Sequence, residues 1–449
     1  MNFENIKNIH FVGIGGIGMS GIAEILADRG FNVSGCDLRP STATDLLVQR
    51  GIPVSIGHHP SHLAGADLVV ITSAVRGENA EVDAARARGI PVSVRKEVLG
   101  AMVNEKRSVG VSGTHGKTTT SAMISVILEE AGLDPTIIIG GMLRNIGSNA
   151  KSGHGELAVV EADEYDRSFH ELHPEVAVVT NIEADHLEYF GSFDAIVEAF
   201  RIFVDGIRPG GVIVACVDDP TVSHLIQRVN HHVVRYGIAG DADVRAINVT
   251  FDERGSRFEV PGFGWFRLFV PGEHNVRNAL GAIAVARELG VGAPVIASAL
   301  AKFLGVDRRF QILGEYGGAI VVDDYAHHPT EIRATLAAAR RGYPRRRIVA
   351  LFQPHLYTRT RDFAREFAES LRAADVALVA PIYAAREKPI EGVTSELIAD
   401  AVEGVEYLDR SHEQIVDEMR RRLQRNDLFI TLGAGDVYQI GEALVRTSL

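Results

Sequence analysis

A glycine-rich stretch that also carries a lysine and a threonine lies about a quarter of the way along the chain. It occupies residues 109–120 and reads Val-Gly-Val-Ser-Gly-Thr-His-Gly-Lys-Thr-Thr-Thr. Its apolar start predicts a strand, and a helix is predicted after it as far as Ala131. The glycines let successive N–H groups face one anion, while Lys117 adds a cation and Thr118 a hydroxyl for Mg²⁺. The pattern predicts a phosphate-binding loop. Its residues are Gly113, Thr114, His115, Gly116, Lys117, Thr118 and Thr119.

A second glycine pattern lies near the N-terminus. Residues 13–18 read Gly-Ile-Gly-Gly-Ile-Gly and separate an apolar segment, 8–12, from a stretch with helical spacing. A second predicted strand ends at Asp37. This is typical of a βαβ unit that binds a diphosphate at a helix N-terminus and ribose hydroxyls on the acid. The pattern alone does not separate a dinucleotide from a nucleotide diphosphate. The residues predicted on this rim are Gly15, Gly18, Asp37, Thr72 and Ser73, with His58 either nearby or a solvated loop histidine.

Composition limits the classes of protein that need considering. The 449 residues carry a net charge of −12, which disfavours non-specific binding to nucleic acid or to an anionic membrane. Two cysteines, Cys36 and Cys216, indicate a reducing compartment and argue against a disulfide framework or a zinc site. Neither a signal peptide nor an apolar run of about 18 residues is evident. We therefore expect a soluble, cytoplasmic protein.

Acidic and histidine residues follow two apolar segments in the middle of the chain. The segment 157–160 leads into Glu161, and the segment 176–179 leads into a polar stretch that ends at His186. Parallel strands would bring both ends close to the phosphate loop. Mg²⁺ prefers oxygen ligands, so Glu161 is the first metal candidate and His186 the second. Ordinary surface acidity at strand ends is the alternative.

Three α/β units in series are predicted, each with polar residues at its strand ends. After the central unit, Asn275 and Asn278 lie on one face of a helix start, where they could contact a base or cap the helix. Arg308 and Arg309 are plausible charge clamps. Sites for a nucleotide diphosphate, a triphosphate with Mg²⁺ and a further small substrate predict an ATP-driven joining of two small molecules.

Nine motifs in order resemble the Mur ligase family over nearly the whole chain. They are GIGGIGM at 13–19, GTHGKTTT at 113–120, EADEYD at 161–166, TNIEADH at 180–186, GEHNVRNA at 272–279, GVDRRF at 305–310, DDYAHHPTE at 323–331, QPHLYTRT at 353–360 and GAGD at 433–436.

This resemblance implies a fold and an activity. It implies an N-terminal Rossmann-like domain (1–106), a central P-loop domain with a small antiparallel extension (107–309) and a C-terminal Rossmann-like domain (310–449). The implied reaction uses ATP and Mg²⁺ to join L-alanine to the lactyl carboxylate of UDP-N-acetylmuramic acid through an acyl phosphate. A recycling ligase that attaches a murein tripeptide is one alternative. An NAD-dependent oxidoreductase and a non-enzymatic nucleotide switch are more remote.

The resemblance also implies roles for residues. The UDP-sugar site would use Gly13, Gly15, Gly16, Gly18, Asp37, His58, Thr72 and Ser73. The ATP site would add Asn275, Asn278, Arg308, Arg309 and Asp324 to the phosphate loop. Lys117, Glu161 and His186 would be catalytic, and Thr118, Glu161 and His186 would bind the metal. The residues that would bind the amino acid are Tyr325, His327, His355 and Arg359. Many members carry arginine where this chain has Leu356. We expect a monomer or weak homodimer, with neither nucleic acid nor a membrane as partner.

Overall fold

A computed structural model describes residues 3–72, 75, 79–253, 255–385 and 387–446. The predicted site residue Ser73 therefore lies outside the described residues. The chain divides into two compact units. The first comprises residues 1–247, 260–264 and 277–303, and the second comprises 248–259, 265–276 and 304–449. Among the described residues, no helix combines the length and the apolarity that crossing a membrane would need.

The N-terminal part of the first unit is a five-stranded parallel sheet in the order β3-β2-β1-β4-β5. Its strands are β1 (Asn8–Val12), β2 (Asn32–Asp37), β3 (Val54–Ile56), β4 (Leu68–Ile71) and β5 (Val92–Val94). Its helices are α1 (Ile17–Asp28), α2 (Thr42–Gln49), α3 (Ala80–Ala87) and α4 (Arg95–Asn104). Both faces of β1 are buried from Ile9 to Val12, so its interior polar side chain, His10, is buried as well.

The central part of the first unit is an eight-stranded sheet in the order β13-β12-β11-β10-β6-β9-β7-β8. The strands are β6 (Arg107–Ser112), β7 (Thr136–Leu143), β8 (Ser148–Lys151), β9 (Leu157–Glu161), β10 (Val176–Val179), β11 (Val212–Cys216), β12 (His232–Gly237) and β13 (Val244–Arg245). Only the β7–β8 pair is antiparallel among the described pairings. The helices are α5 (Lys117–Glu130), α6 (Leu187–Phe190), α7 (Phe193–Asp205), α8 (Pro220–Leu225), α9 (Glu273–Glu288, from Arg277 onward) and α10 (Ala293–Lys302).

Helix α1 packs against the edge hairpin of the central sheet. The side-chain amide of Asn149, in β8, donates a hydrogen bond of 2.7 Å to the carbonyl of Ile17. Gly21 faces this contact, and a Cβ there would come within 2.9 Å of the Asn149 amide. Ser148 also donates to Glu24 at 3.3 Å. The glycine thus allows the helix and the hairpin to approach closely.

The second unit contains two further sheets. A three-stranded sheet has the order β14-β15-β16, with strands β14 (Ile247–Asp252), β15 (Gly255–Val260) and β16 (Gly264–Leu268). A six-stranded sheet has the order β17-β18-β22-β19-β20-β21, and only β17 runs antiparallel to its neighbour. Its strands are β17 (Gln311–Tyr316), β18 (Ala319–Asp324), β19 (Arg347–Phe352), β20 (Val376–Val379), β21 (Val405–Tyr407) and β22 (Asp427–Leu432). The helices are α11 (Pro329–Gly342), α12 (Tyr357–Leu371), α13 (Glu396–Ala401), α14 (His412–Arg422) and α15 (Tyr438–Arg446).

The predicted α/β class, with three Rossmann- or P-loop-type sheets in series, is confirmed. Helix α4 extends through Asn104 and leaves only Glu105 and Lys106 as the connection to β6. Gly100 lies inside this helix although glycine is a poor helix former. A Cβ at Gly100 would come within 2.7 Å of the carbonyl oxygen of Glu171, so the glycine permits close packing there.

Candidate active site

The phosphate loop connects β6 to α5 and depends on two glycines. Gly113 has a φ of +137°, and a Cβ at this position would overlap the hydroxyl of Thr180. Gly116 has a φ of +83° and lies directly before α5. A Cβ on Gly116 would come within 2.6 Å of the Asn278 side-chain oxygen. Both positions therefore require glycine, and Asn278 lies close to the loop.

The loop is held against the residues that follow β10. Thr114 N–H donates to the Asn181 carbonyl at 3.0 Å, and His115 N–H donates to the Asn181 side-chain oxygen at 2.8 Å. The Thr180 hydroxyl donates to the carbonyl of His115 at 2.6 Å. Glu183 N–H donates to the Thr114 hydroxyl at 2.9 Å. These bonds fix the backbone of the loop before any phosphate binds, which reduces the ordering cost of binding.

Lys117 forms a buried ion pair with Glu164. Its ammonium donates to the two carboxylate oxygens of Glu164 at 3.0 and 2.8 Å, and to the carbonyls of Gly113 at 2.5 Å and Thr114 at 3.2 Å. The Lys117 side chain is 13% exposed and that of Glu164 only 4%. Burial is the largest single influence and opposes the charge on Lys117, but the combined attraction of Glu164, Asp163 and Glu161 outweighs it and raises the Lys117 pKa. The cation is therefore permanent and positioned at the loop.

The Thr118 hydroxyl and the Glu161 carboxylate, two oxygen groups that could bind a metal ion, are in contact. The Thr118 hydroxyl donates to Glu161 at 2.9 Å, and the same carboxylate oxygen accepts the N–H of Gly140, in β7, at 2.7 Å. A hydroxyl beside a carboxylate is the oxygen donor set that suits Mg²⁺.

His186, the second predicted metal ligand, has a φ of +55°. Its ring lies 5.0 Å from that of Tyr165, and its Nε2 lies 3.8 Å from the carboxylate of Asp185. The role of His186 as a metal ligand stays a prediction.

The N-terminal glycine turn and Asp37 are in direct contact. Gly15 N–H donates to one carboxylate oxygen of Asp37 at 2.9 Å, and Leu38 N–H donates to the other at 2.7 Å. A Cβ at Gly15 would come within 2.9 Å of the Asp37 carboxylate, so a side chain there would displace the acid. The predicted pairing of this turn with the acid at the end of β2 is therefore present.

Other predicted residues surround the same turn. Thr72 faces Gly13, because its methyl group is 3.0 Å from the position of a Cβ on that glycine. Gly16 is the residue that precedes α1. Gly18 faces the guanidinium of Arg95, which would lie 3.0 Å from a Cβ at that position. Arg95 starts α4 and was not predicted, yet it brings a cation to the N-terminal end of α1.

His58 lies beside the end of β2. Its Nδ1 lies 3.1 Å from the sulfur of Cys36 and 3.2 Å from the carboxylate of Glu81. It is therefore not a solvated loop histidine, and its role at the UDP-sugar stays a prediction.

The two asparagines of α9 differ in their contacts. Asn275 is buried, and its side-chain amide donates to the carbonyl of Pro271 at 2.7 Å. This bond satisfies a carbonyl before the helix, whereas a capping side chain would accept from an N–H group. Asn278 is also buried and lies over Gly116, as described above. A contact of either residue with adenine stays a prediction.

In the second unit, Arg308 is occupied by protein partners. Its guanidinium donates to Asp323 at 3.0 Å and to the carbonyl of Gly433 at 2.6 Å, and it lies over the rings of Tyr325 and Tyr438. The residue has a φ of +62°. These contacts organise the carboxyl end of β18 and leave the predicted role of Arg308 at the nucleotide untested.

Arg309 and Asp324 lie next to this group. The Arg309 guanidinium is 3.8 Å from Glu331 and 5.3 Å from the centre of the Tyr325 ring. Asp324 is buried and accepts N–H groups of Phe310 and Ala326, each at 2.8 Å. Burial raises the Asp324 pKa to about 6, although Arg309 and the two hydrogen bonds act against the shift.

Three of the four predicted amino-acid-binding residues lie together. The ring of His327 is 5.3 Å from that of Tyr325 and 6.2 Å from that of His355. His355 also stacks on Tyr383 at 5.9 Å. Arg359 is buried in the first turn of α12. Leu356, at the position where many members of the family carry arginine, is buried with a φ of +73°.

Comparison with known proteins identifies the relatives of the chain. Three family models match in series: "Mur ligase family, catalytic domain" over residues 8–107, "Mur ligase middle domain" over 111–286 and "Mur ligase, glutamate ligase domain" over 308–435. The UDP-N-acetylmuramate–L-alanine ligase of Syntrophotalea carbinolica is 47% identical over 452 aligned residues, which cover 99% of this chain and 98% of the relative.

Solved structures give the same picture. The crystal structure of the UDP-N-acetylmuramate–alanine ligase of Thermotoga maritima superimposes with a TM-score of 0.85 at 30% identity, covering 99% of both chains. A murein peptide ligase of Psychrobacter arcticus superimposes with a TM-score of 0.73 at 25% identity, covering 98% of both chains. Sequence and structure together assign this chain to the Mur ligase family.

Proposed function

We propose that this protein uses ATP to join L-alanine to the lactyl carboxylate of UDP-N-acetylmuramic acid, releasing ADP and phosphate. The reaction is a step in the synthesis of peptidoglycan precursors. The observation that carries the proposal is the 47% identity, over 99% of the chain, to a ligase named for this reaction. The phosphate loop with its buried Lys117–Glu164 pair agrees with it, because a ligase driven by ATP needs a fixed cation at the transferred phosphoryl group.

We propose that each of the three domains binds a different substrate. Residues 1–106 bind the UDP-sugar at the Gly13–Gly18 turn, with Asp37 at the ribose. Residues 107–309 bind ATP at the phosphate loop. Residues 310–449 bind alanine through the group that contains Tyr325, His327 and His355, and Arg359 would neutralise its carboxylate.

The chemistry follows from the weakness of a carboxylate as an acyl donor. The lactyl carboxylate attacks the γ-phosphorus of ATP, and ADP leaves. The alanine amine then attacks the acyl phosphate, and phosphate leaves the tetrahedral intermediate. Lys117 supplies a fixed positive charge at the phosphoryl oxygens, and loop N–H groups that face the anion act in the same way. Most of the acceleration comes from holding the reactants in line.

Glu161 and Thr118 are the residues that fit Mg²⁺. Their oxygens are 2.9 Å apart and belong to a carboxylate and a hydroxyl, the ligands that Mg²⁺ takes beside nucleotide phosphates. A bound Mg²⁺ would neutralise negative charge on the β- and γ-phosphates. Within the chain, Gly140 N–H holds the Glu161 carboxylate in place for this role.

A recycling ligase is the second candidate. The structural similarity to the murein peptide ligase, with a TM-score of 0.73, supports this second candidate. It shares the sugar nucleotide and ATP but joins a tripeptide instead of alanine. Over nearly the same share of the chain, the alanine ligase structure superimposes more closely, with a TM-score of 0.85 against 0.73, which supports the first candidate.

The test is phosphate release from ATP with UDP-N-acetylmuramic acid and Mg²⁺, with either L-alanine or L-Ala-γ-D-Glu-meso-diaminopimelate. The proposal predicts release with alanine and a new UDP-muramoyl-alanine product detectable by mass spectrometry. Release with the tripeptide alone would identify the recycling enzyme. Release with neither amine would reject both ligase reactions. Tight NAD(H) binding without phosphate release would favour an oxidoreductase.

A further inference from the structure

Four side chains that commonly bind metals converge behind the N-terminal glycine turn. His10 comes from β1, Cys36 from β2, His62 from the short 3₁₀-helix Pro60–Leu63 and Glu81 from α3. One potential ligand atom from each residue lies within 4.8 Å of all the others. None of these four was predicted to take part in the site. We refer to them as the His–Cys–His–Glu cluster.

His10 carries a ring nitrogen that is directed into the cluster. The residue is only 2% exposed, and its Nε2 has no hydrogen-bond partner within the part of the chain that the structure describes. That atom lies 3.9 Å from Glu81. The other ring nitrogen, Nδ1, is 2.9 Å from the hydroxyl of Ser34. Metal-binding histidines usually show this arrangement, with one nitrogen on the metal and the other fixed by a hydrogen bond.

Glu81 is the centre of the cluster. It is fully buried, and its carboxylate accepts the Cys36 thiol at 2.8 Å and the His59 N–H at 3.1 Å, and lies 2.5 Å from His62 Nδ1. Burial alone would raise the Glu81 pKa, but the hydrogen bonds lower it to about 2. Burial and the neighbouring Glu81 raise the Cys36 pKa, so the free thiol is protonated and is a poor nucleophile. Catalysis by this cysteine is therefore disfavoured.

We propose that the His–Cys–His–Glu cluster is a Zn²⁺ site. Two imidazoles, one thiolate and one carboxylate form a mixed nitrogen, sulfur and oxygen donor set that suits Zn²⁺ and is poorly suited to Mg²⁺. The thiolate and the carboxylate together balance the charge of the ion. Binding replaces the Cys36 S–H bond by a S–Zn bond and releases that proton to solvent, with no change of oxidation state.

The distances are compatible with this site. Zn–S bonds of about 2.3 Å and Zn–N bonds of about 2.0 Å place tetrahedral ligand atoms roughly 3.3–3.6 Å apart, so only small side-chain movements are needed. His58, whose Nδ1 is 3.1 Å from the Cys36 sulfur, would remain as a hydrogen-bond partner of the thiolate. The low cysteine count argued against a zinc site, but a mixed donor set needs only one cysteine.

The site would stiffen the glycine turn. The Cys36 carbonyl accepts the N–H groups of Gly13 and Ile14 at 2.8 and 3.0 Å. A metal bound to the Cys36 side chain would hold the end of β2, and with it the backbone that supports this turn.

Cobalt substitution tests the proposal on the full-length protein. Chelator-treated protein is titrated anaerobically with Co²⁺, and the near-ultraviolet band of thiolate-to-Co²⁺ charge transfer is recorded. The chain contains a matched control, since Cys216 is also a free, buried cysteine. The variants are Cys36→Ser, Cys216→Ser and His62→Asn, and circular dichroism checks their folding. Zn²⁺ affinity is measured by competition with a chromophoric chelator.

We expect about one equivalent of Co²⁺ to produce the band, Zn²⁺ to abolish it, and Cys216→Ser to retain it. Cys36→Ser should lose the band, and His62→Asn should weaken Zn²⁺ binding by about tenfold or more. Absence of the band in the unmodified protein, its survival in Cys36→Ser, or unchanged Zn²⁺ affinity in His62→Asn would overturn the proposal. If Cys36→Ser does not fold, the partly exposed His62 decides the question. Co²⁺ at the predicted Mg²⁺ site has no thiolate ligand and would not produce the band.

Discussion

Replacing Lys117 by methionine keeps a long side chain but leaves the carboxyl group of Glu164 buried without its cation. Glu164 can then avoid an unpaired charge by taking up a proton in the folded state. Its ordinary pKa is 4.5 and burial raises it. Full protonation at pH 7 costs about 1.36 kcal/mol for each of roughly 2.5 pH units, which sets an upper limit of about 3.4 kcal/mol on this part of the penalty. Losing the hydrogen bonds to the Gly113 and Thr114 carbonyls adds about 1 kcal/mol each, independent of pH.

The charge-related part of this loss of stability changes with pH in a definite direction. In Lys117→Met the folded state favours protonated Glu164, so stability is greatest below the ordinary pKa near 4.5. It is lost as pH rises towards the raised folded pKa. Between pH 7 and pH 5.5 the penalty should therefore fall, by at most about 2 kcal/mol.

Urea denaturation followed by circular dichroism at pH 5.5 and pH 7 measures this difference. The double variant Lys117→Met/Glu164→Gln is the control, because glutamine takes up no proton and should remove the extra pH dependence. If the difference in stability between Lys117→Met and this double variant is the same at pH 5.5 and pH 7, the idea that the buried carboxylate of Glu164 depends on Lys117 is refuted. Ligation should be lost in both variants, and UDP-sugar binding should be retained, because the proposed UDP-sugar site is at a separate glycine turn.

Three further changes test other parts of the molecule. Gly113→Ala should lower the free energy of unfolding by about 2 kcal/mol or more and abolish ATP-dependent turnover. Adding Thr180→Ala to this variant removes the overlapping hydroxyl but leaves the positive φ, so stability should recover only in part. Full recovery of stability would show that backbone strain at residue 113 is unimportant. Asp37→Ala should weaken UDP-sugar binding by about tenfold to a hundredfold and spare ATP, measured by calorimetry; the reverse pattern would reassign the domains. Burial raises the Asp324 pKa from 3.8 to about 6, so stability relative to Asp324→Asn should fall by up to about 3 kcal/mol as pH rises from 4 to 7; parallel pH curves would contradict this shift.

Local patterns predicted the strands and the two glycine turns well. β1 and β10 have the predicted bounds. β10 is a continuous apolar run, because both faces of this parallel strand are buried. Each glycine turn was recognisable because its backbone geometry excludes other residues. The contact of Gly15 with Asp37 followed from the spacing that a βαβ unit imposes.

Contacts that depend on tertiary placement could not be predicted in this way. The motif EADEYD contains two glutamates, and no local rule states that Glu161 meets Thr118 whereas Glu164 meets Lys117. The reason is the turn after β9, which brings the later acid back to the loop. Arg95 was missed, and the contacts of His58 with Cys36 and Glu81 were not foreseen, for a related reason: their partners come from elements brought together by the order of the strands.

The contact between Gly21 and Asn149 has a consequence for protein engineering. Helix α1, which follows the N-terminal glycine turn, is fitted to the β8 edge of the central sheet by a glycine and one amide. A chimaera that takes residues 1–106 from a related ligase would therefore inherit a mismatched helix surface unless the β7–β8 hairpin is transplanted with it. The exchangeable module is not contiguous in sequence, and shuffling of these enzymes at the apparent boundary near residue 106 should yield poorly assembled hybrids.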